Sequence, residues 1–264
     1  MAASADEIVF DHHDPADEPR RESLMGLGNG VLFVRACAPE AAFAQNGPAP
    51  ENATHYSGLY LAGAYNRAER EINGERVHIS ALVNLPDPFA LSFRIAGEAW
   101  FSLEGCELLH YRHRLDMAAG LAERDITLRD AAGRETRLRE TRGTSLVDAN
   151  RAWLHWHVTP LNWSAPVQVR ALLRTSACNT RLTRTQAYEG RHLDVEPAAT
   201  DEGVAVLART TDGTRCVRVE SQLQCAGASV DAAESDPTAL VQQQTLEAQA
   251  GRAVDIELQV RVVA

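Results

Sequence analysis

From Glu107 to Val262 apolar residues recur at every second position, stretch after stretch, with turn residues between the stretches. A period of two puts successive side chains on opposite faces of an extended backbone, so this pattern suits β-strands and not helices. Leu109, Tyr111 and Leu115 mark one strand, and Leu121, Ile126 and Leu128 mark the next. Asp130-Ala131-Ala132-Gly133 reads as a hairpin turn, from which Arg134–Arg142 returns with charges alternating against Thr and Leu. The pattern recurs over Trp153–Val158, Val167–Leu173, Val204–Ala208, Cys216–Leu223, Leu240–Leu246 and Val254–Val262. No convincing amphipathic helix is found. The best candidate, Pro237–Ala250, contains Val-Gln-Gln-Gln-Thr, which fits a strand better. Strands at roughly even spacing predict an all-β fold, a large antiparallel β-sandwich, in one domain without internal repeat or linker.

The N-terminal part is less regular. Residues 1–21 are polar and acidic around Ile8-Val9-Phe10, which is expected to form an edge strand or to pack on the domain; residues 22–264 are expected to form the single sandwich domain. Glu22–Arg35 opens polar, runs through Gly26, Gly28, Asn29 and Gly30, and enters the apolar strand Val31–Val34. Glycine and asparagine tolerate positive φ, so Gly-Asn-Gly predicts a tight turn. Residues 37–56 are rich in Ala, Pro, Asn and Gly and read as a long surface loop. Gly58–Arg67, Ser80–Leu85 and Phe89–Ile95 resume β character, the last two around a corner at Pro86-Asp87-Pro88. Trp100–Leu103 is expected to continue the sheet, and Asp231–Pro237 to be a hairpin loop.

Bulk properties exclude several roles. A net charge of -10 over 264 residues disfavours non-specific nucleic-acid binding and an anionic membrane surface. All 26 basic residues are Arg, which codon bias explains more simply than phosphate recognition. The five cysteines, Cys37, Cys106, Cys178, Cys216 and Cys225, form no C-x-x-C, so neither a zinc site nor a redox motif is expected. Met1–Asp17 lacks the apolar core of a signal peptide, no run approaches a membrane span, and the expectation is a cytoplasmic protein with reduced thiols.

Glu22, Ser23, Leu24, Leu27, Gly28, Asn29, Gly30 and Arg35 resemble the E-S-L-x-x-L-G-N-G…R opening of the N-terminal domain of glycoside hydrolase family 65, which includes the maltose, trehalose and kojibiose phosphorylases. One departure is Phe33, where members usually carry a small residue. Further matches follow in order: Tyr60–Arg67 (YLAGAYNR), Leu82–Pro86 (LVNLP), Tyr111–Asp116 with Gly120-Leu121 and Arg124, Thr159–Trp163 with Val167–Arg170, and Gly190–Leu193 (GRHL). The resemblance implies a galactose mutarotase-like supersandwich, followed in the family by an (α/α)6 barrel that holds the general acid and the phosphate site and is absent from this chain. It therefore implies an accessory domain of a phosphorylase or hydrolase of α-glucosidic disaccharides, without an acid of its own. Its expected partners are the (α/α)6 catalytic domain, in cis or in trans, with a second copy of the chain and a disaccharide or glucoside ligand as further candidates. The alternatives are a stand-alone carbohydrate-binding module and a mutarotase-like sugar isomerase.

No catalytic, cofactor or metal residue is assigned from the chain itself. Asp11, His12, His13 and Asp14 look like metal ligands but read better as a solvated terminal segment. His155 and His157 share a strand face with Trp153, opposite to Trp156, and could hold a metal; imidazoles satisfied by cross-strand partners are favoured. His110 and His113 lie among Arg112 and Arg114 and are expected to be solvated or ion-paired, because no Glu can be matched to them as a ring-opening acid–base pair would need. Asp87, Glu98 and Glu104 suit turns and caps better than a glycosidic pair. Gly28-Asn29-Gly30 lacks the Lys and the helix of a phosphate loop. Trp100, Trp153, Trp156 and Trp163 could stack on sugar, but core packing is the commoner fate.

Overall fold

The computed structural model describes residues 6–43, 56–72, 74–176, 179, 190–232, 236 and 238–264. In chain order the elements are β1 (Glu7–Phe10), α1 (Glu18–Leu24), β2 (Leu27–Gly28), β3 (Leu32–Val34), a 3-10 turn (Pro39–Phe43), β4 (Leu59–Leu61), β5 (Tyr65–Ile72), β6 (Glu75–Leu82) and β7 (Asp87–Ile95). They continue with β8 (Glu107–Asp116), β9 (Leu121–Arg129), β10 (Glu135–Thr144), β11 (Arg151–Pro160), β12 (Ala165–Arg174) and β13 (Leu193–Ala198). The last are β14 (Val204–Thr210), β15 (Cys216–Cys225), β16 (Ser229–Val230), β17 (Ala239–Ala248) and β18 (Val254–Val263). The chain is an all-β sandwich. A nine-stranded sheet runs β1-β8-β9-β10-β11-β18-β15-β14-β13, and a four-stranded sheet runs β16-β17-β12-β7. Every pairing is antiparallel.

The core lies between these two sheets. Leu138, Leu154, Trp156, Val219 and Leu258 of the large sheet meet Leu91, Phe93, Val169 and Leu173 of the small one. Each such side chain contributes roughly 1.5–3 kcal/mol by leaving water. Phe93 stacks on Phe101 with centroids 4.9 Å apart, and both meet the edge of Trp156.

Local chemistry explains most elements. Ile8-Val9-Phe10 forms the expected edge strand, paired with β8. At the opposite edge β13 carries Pro197, which an outer strand tolerates because it has one open side. The predicted turn at Gly28-Asn29-Gly30 joins β2 to β3, but positive φ falls on Gly30 (+88°) and not on Asn29. Asn29 acts through its side chain. Its Oδ1 accepts from the Val31 and Leu32 amides, and its Nδ2 donates to the Ser145 and Ala149 carbonyls at 2.7 and 3.1 Å. Phe33 lies across Gly26, where a Cβ would sit 2.6 Å from its Cζ, so glycine at 26 makes room for the large residue at 33.

Four readings need correction. A helix exists: α1 runs across residue 22 with Pro19 in its first turn, a position that costs no hydrogen bond. Its seven residues are too few to show a periodicity. Trp100–Leu103 joins no ladder; Ser92 Oγ donates to the Phe101 carbonyl and the Phe101 amide to Phe93 O, so the segment folds back over β7. Leu109 faces solvent because a bulge between Leu108 and His110 breaks the strand's parity. Within 37–56, residues 39–43 form the 3-10 turn and bury Glu40, while 44–55 lie outside the described residues. Among the described residues no helix is long and apolar enough to cross a membrane.

Candidate functional site

One transverse row on the inner face of the large sheet is polar where a core should be apolar. Register places Phe10, His113, Arg124, Glu140, Trp156 and Ile256 side by side across β1, β8, β9, β10, β11 and β18. Ile256 and Trp156 lie under the four-stranded sheet's core. Towards β8 the cover changes to α1, the 3-10 turn and the loop at 102–106, and there the row becomes charged.

The charges are matched. Arg124 donates two parallel hydrogen bonds to Glu40, at 2.6 and 2.7 Å, and a third to Glu140 Oε2 at 2.9 Å. Arg142 donates through Nε and Nη2 to Glu140 Oε1 and through Nη1 to the Cys37 carbonyl. Trp156 Nε1 also donates to Glu140 Oε2, at 2.9 Å. Burial alone would raise the Glu140 carboxyl, but two guanidiniums and the indole N–H outweigh it and bring it down to about 2. Arg124 is held charged by Glu140 and Glu40 against the same burial. His113 goes the other way. Burial, reinforced by Arg124 and Arg142, lowers it to about 4, so it is neutral at pH 7. Burial pushes the Tyr111 hydroxyl up to about 12.

Beside this network lies a cleft of about 320 Å³. Four buried side-chain atoms on its lining have no hydrogen-bond partner: His13 Nδ1, Glu18 Oε1, His113 Nδ1 and Arg124 Nε. His13 Nδ1 and Glu18 Oε1 are 3.5 Å apart, and the His13 ring lies 5.5 Å from that of Tyr111. The Glu18 carboxyl is lowered, although burial opposes this, chiefly by His13. An N–H donor, a carboxylate oxygen and two imidazole nitrogens thus face one small space, a mixed set able to bind hydroxyl groups. Unmet buried polar atoms are costly; His13 Nδ1 and Glu18 Oε1 offset part of that cost as a loose ion pair, and His113 Nδ1 and Arg124 Nε make this cleft the candidate site.

His110 and His113 therefore part company. His110 is exposed and His113 is buried near Glu140 and Glu18 and kept neutral by that burial, so the solvated or ion-paired expectation fails for the second. His13 is not solvated either, because α1 folds it onto the cleft; His12 stays in the open beside Asp11. Asp87 caps the Phe89 amide, and Glu98 pairs with Arg134 across two turns. Glu104 lines the cleft. Trp156 and Trp163 are buried, whereas the Trp100 ring is met by the Arg94 and Arg170 guanidiniums at 4.6 and 4.4 Å. His155 and His157 share the outer face with Trp153, and both imidazoles approach the Asp255 carboxylate of the neighbouring strand. Cys37, Cys106, Cys216 and Cys225 are free thiols, and Cys178 lies outside the described residues.

Sequence reasoning missed Glu18, Glu40, Glu140 and Arg142, and met Arg124 only as part of a motif. A signal existed for two of them: the parity that turns Leu138 inward also turns Glu140 and Arg142 inward. Other motifs become contacts. Glu22 and Arg35 converge on Tyr56, whose amide donates to Glu22 and whose carbonyl accepts from Arg35 Nε. Asn66 Nδ2 meets His192 Nδ1 at 2.9 Å, linking the YNR and GRHL segments.

The model of the N-terminal domain of glycosyl hydrolase family 65 matches residues 8–263. An uncharacterized glycosyl hydrolase of Mycobacterium tuberculosis is 35% identical over 83% of this chain and 17% of its own length. A kojibiose phosphorylase of Caldanaerobacter subterraneus subsp. tengcongensis is 28% identical over 77% of this chain and 24% of its own. A solved structure, a putative kojibiose phosphorylase from human microbiome, superposes with a TM-score of 0.76 at 15% identity, covering 97% of this chain and 32% of that one. The chain thus spans less than a third of the length of these relatives.

Proposed function

The chain belongs to glycosyl hydrolase family 65 as its N-terminal domain, and from this premise we propose that it serves as the accessory β-sandwich of a phosphorylase or hydrolase of α-glucosidic disaccharides. Its roles in this reading are to hold an (α/α)6 catalytic domain, to shape the mouth of that domain's active site and to contribute to dimerisation. The observation that carries the reading is the match over residues 8–263.

The electrostatics support a domain without a catalytic acid. A glycosidic acid must hold its proton near neutral pH, which needs a raised carboxyl. Among the described residues every carboxylate with a displaced titration is displaced downward, and the buried Glu18 and Glu140 are both of this kind. A contact role is supported by exposed apolar side chains at one end: Leu146 and Val147 are 82% and 101% exposed on the loop that Asn29 holds against the β2–β3 turn, and Phe33 is half-exposed on β3. The segment 37–56 is the proposed reach towards the partner domain.

The test is phosphorolysis by the purified chain. Incubated with phosphate and maltose, trehalose or kojibiose, it should release no glucose 1-phosphate; release above the enzyme-free rate refutes the proposal. One observation favours a second reading, a mutarotase-like isomerase: His13, His113 and Glu18 meet at one cleft. Polarimetry of freshly dissolved glucose decides it, since unaccelerated mutarotation removes that reading. A stand-alone carbohydrate-binding module is less well supported, because the Trp100 ring is already in contact with Arg94, Arg170 and Phe43.

A further inference from the structure

A second cluster stands on the opposite, outer face of the large sheet. β11 sets His155 and His157 on that face with ring centroids 4.2 Å apart. β18 runs antiparallel beside it and places Asp255 opposite His157 and Glu257 opposite His155. His157 Nδ1 bonds to Asp255 Oδ1, and His155 Nε2 lies 3.5 Å from the same oxygen. One nitrogen from each imidazole and one carboxylate oxygen all lie within 4.8 Å of one another. The side chains are 32%, 34% and 54% exposed, so the cluster is open to solvent.

We propose that His155, His157 and Asp255 form a binding site for a divalent transition-metal cation of the zinc and copper kind. Two imidazoles and a carboxylate suit zinc and its neighbours, whereas magnesium and calcium select all-oxygen sets. Tetrahedral zinc with bonds of about 2.0–2.2 Å needs its ligand atoms ~3.3 Å apart. The observed separations bracket that value, so small side-chain rotations close the site. Both strands are interior to the sheet, β11 between β10 and β18 and β18 between β11 and β15, which fixes the Cα positions. Glu257, whose Oε1 accepts from Gln259 Nε2 at 2.5 Å, stands across from His155 as a fourth ligand or as the partner of a bound water. Arg139 stands opposite His157 on the other side. Its charge opposes a dication, so the site is a labile one, weaker than a closed structural centre.

The experiment is calorimetric titration of the tag-free chain with zinc chloride, beside the double variant His155→Gln, His157→Gln and the single variant Asp255→Asn. The wild type should bind one equivalent that the double variant lacks, with affinity at least about tenfold lower in the single variant. Copper(II) gives a local readout. Trp153, two residues from His155 on the same face, should be quenched with 1:1 saturation in the wild type and not in the double variant. An unchanged melting temperature without metal shows that the variants fold. Absence of saturable binding overturns the proposal, and so does binding that survives in the double variant, which would place the ion at the thiols or at His12 and His13.

Discussion

Replacing His113 by Gln should flatten the acid side of the stability curve. His113 is 6% exposed and faces Arg124, Glu140 and Arg142 on the sheet, Glu18 on α1, and Glu40 on the 3-10 turn. Its native value is depressed from 6.5 to about 4. In that window the unfolded chain takes up a proton that the folded chain refuses. Stability from this group is therefore complete above about pH 6.5, falls as the pH falls, and stops falling below about pH 4. Linkage makes the loss between pH 7 and pH 4.5 about 2 kcal/mol. Other groups also titrate there, which is why the variant is the reference: it keeps Glu18, Glu40, Glu140 and both arginines. Urea unfolding at pH 7, 5.5 and 4.5, followed by tryptophan fluorescence, gives both curves. The wild type should lose about 2 kcal/mol more than His113→Gln. Parallel curves, within about 0.5 kcal/mol, would refute the claim that this imidazole is kept neutral.

Three further outcomes follow from the same geometry. Glu140→Leu leaves Arg142 without its carboxylate and Arg124 with Glu40 alone; at pH 7 urea melts should show a loss of about 3–5 kcal/mol. Because the Glu140 carboxyl is depressed to about 2, its stabilisation is present above the unfolded value near 4.5 and disappears as the pH falls through 2, so the cost of this substitution shrinks in acid. Asn29→Ala removes two hydrogen bonds from the β2–β3 turn to the loop at 145–149 and two more within the turn and should cost about 2–4 kcal/mol by the same assay, with faster proteolysis at Leu146. Gly203 and Gly213 share φ +72°, but a Cβ at Gly203 would meet the Ser221 carbonyl oxygen at 2.2 Å while one at Gly213 meets nothing within 4 Å. Gly213→Ala should therefore cost about 1–2 kcal/mol and Gly203→Ala clearly more, read as thermal midpoints.

The strands were legible because alternation is a local property, and β10, β14 and β18 lie where parity puts them, whereas in β9 Leu121 falls on the face opposite to Ile126 and Leu128. What stayed hidden depends on contacts distant in sequence. Leu109 obeys the pattern yet faces water, because the bulge that displaces it arises from pairing with β9. Glu140 and Arg142 have inward parity, but charges at inward positions look like register errors until Glu40, a hundred residues upstream in a proline-led turn, is seen to close the pair with Arg124. Strand parity turns Trp156 away from His155, yet only the fold shows that its indole N–H ends on Glu140. Glu18 and His13 join the cleft through a seven-residue helix that no periodicity announces; the Asp17-Glu18-Pro19 start was its one trace. Motif resemblance reached Asn66 and His192 as separate landmarks, and their hydrogen bond is a product of the fold.

The place of β18 between β11 and β15 bears on how the protein is made. A ribosome delivers β8 to β11 as consecutive hairpins that can zip while translation continues, and β13 to β15 can do the same. The two halves have no strand in common until residues 254–263 have left the exit tunnel. Until then β11 and β15 each present an unpaired backbone edge, the feature that nascent chains use to associate wrongly. Chains stalled before Val254 should therefore crosslink to a holdase chaperone, and release should coincide with emergence of the strand that joins the halves.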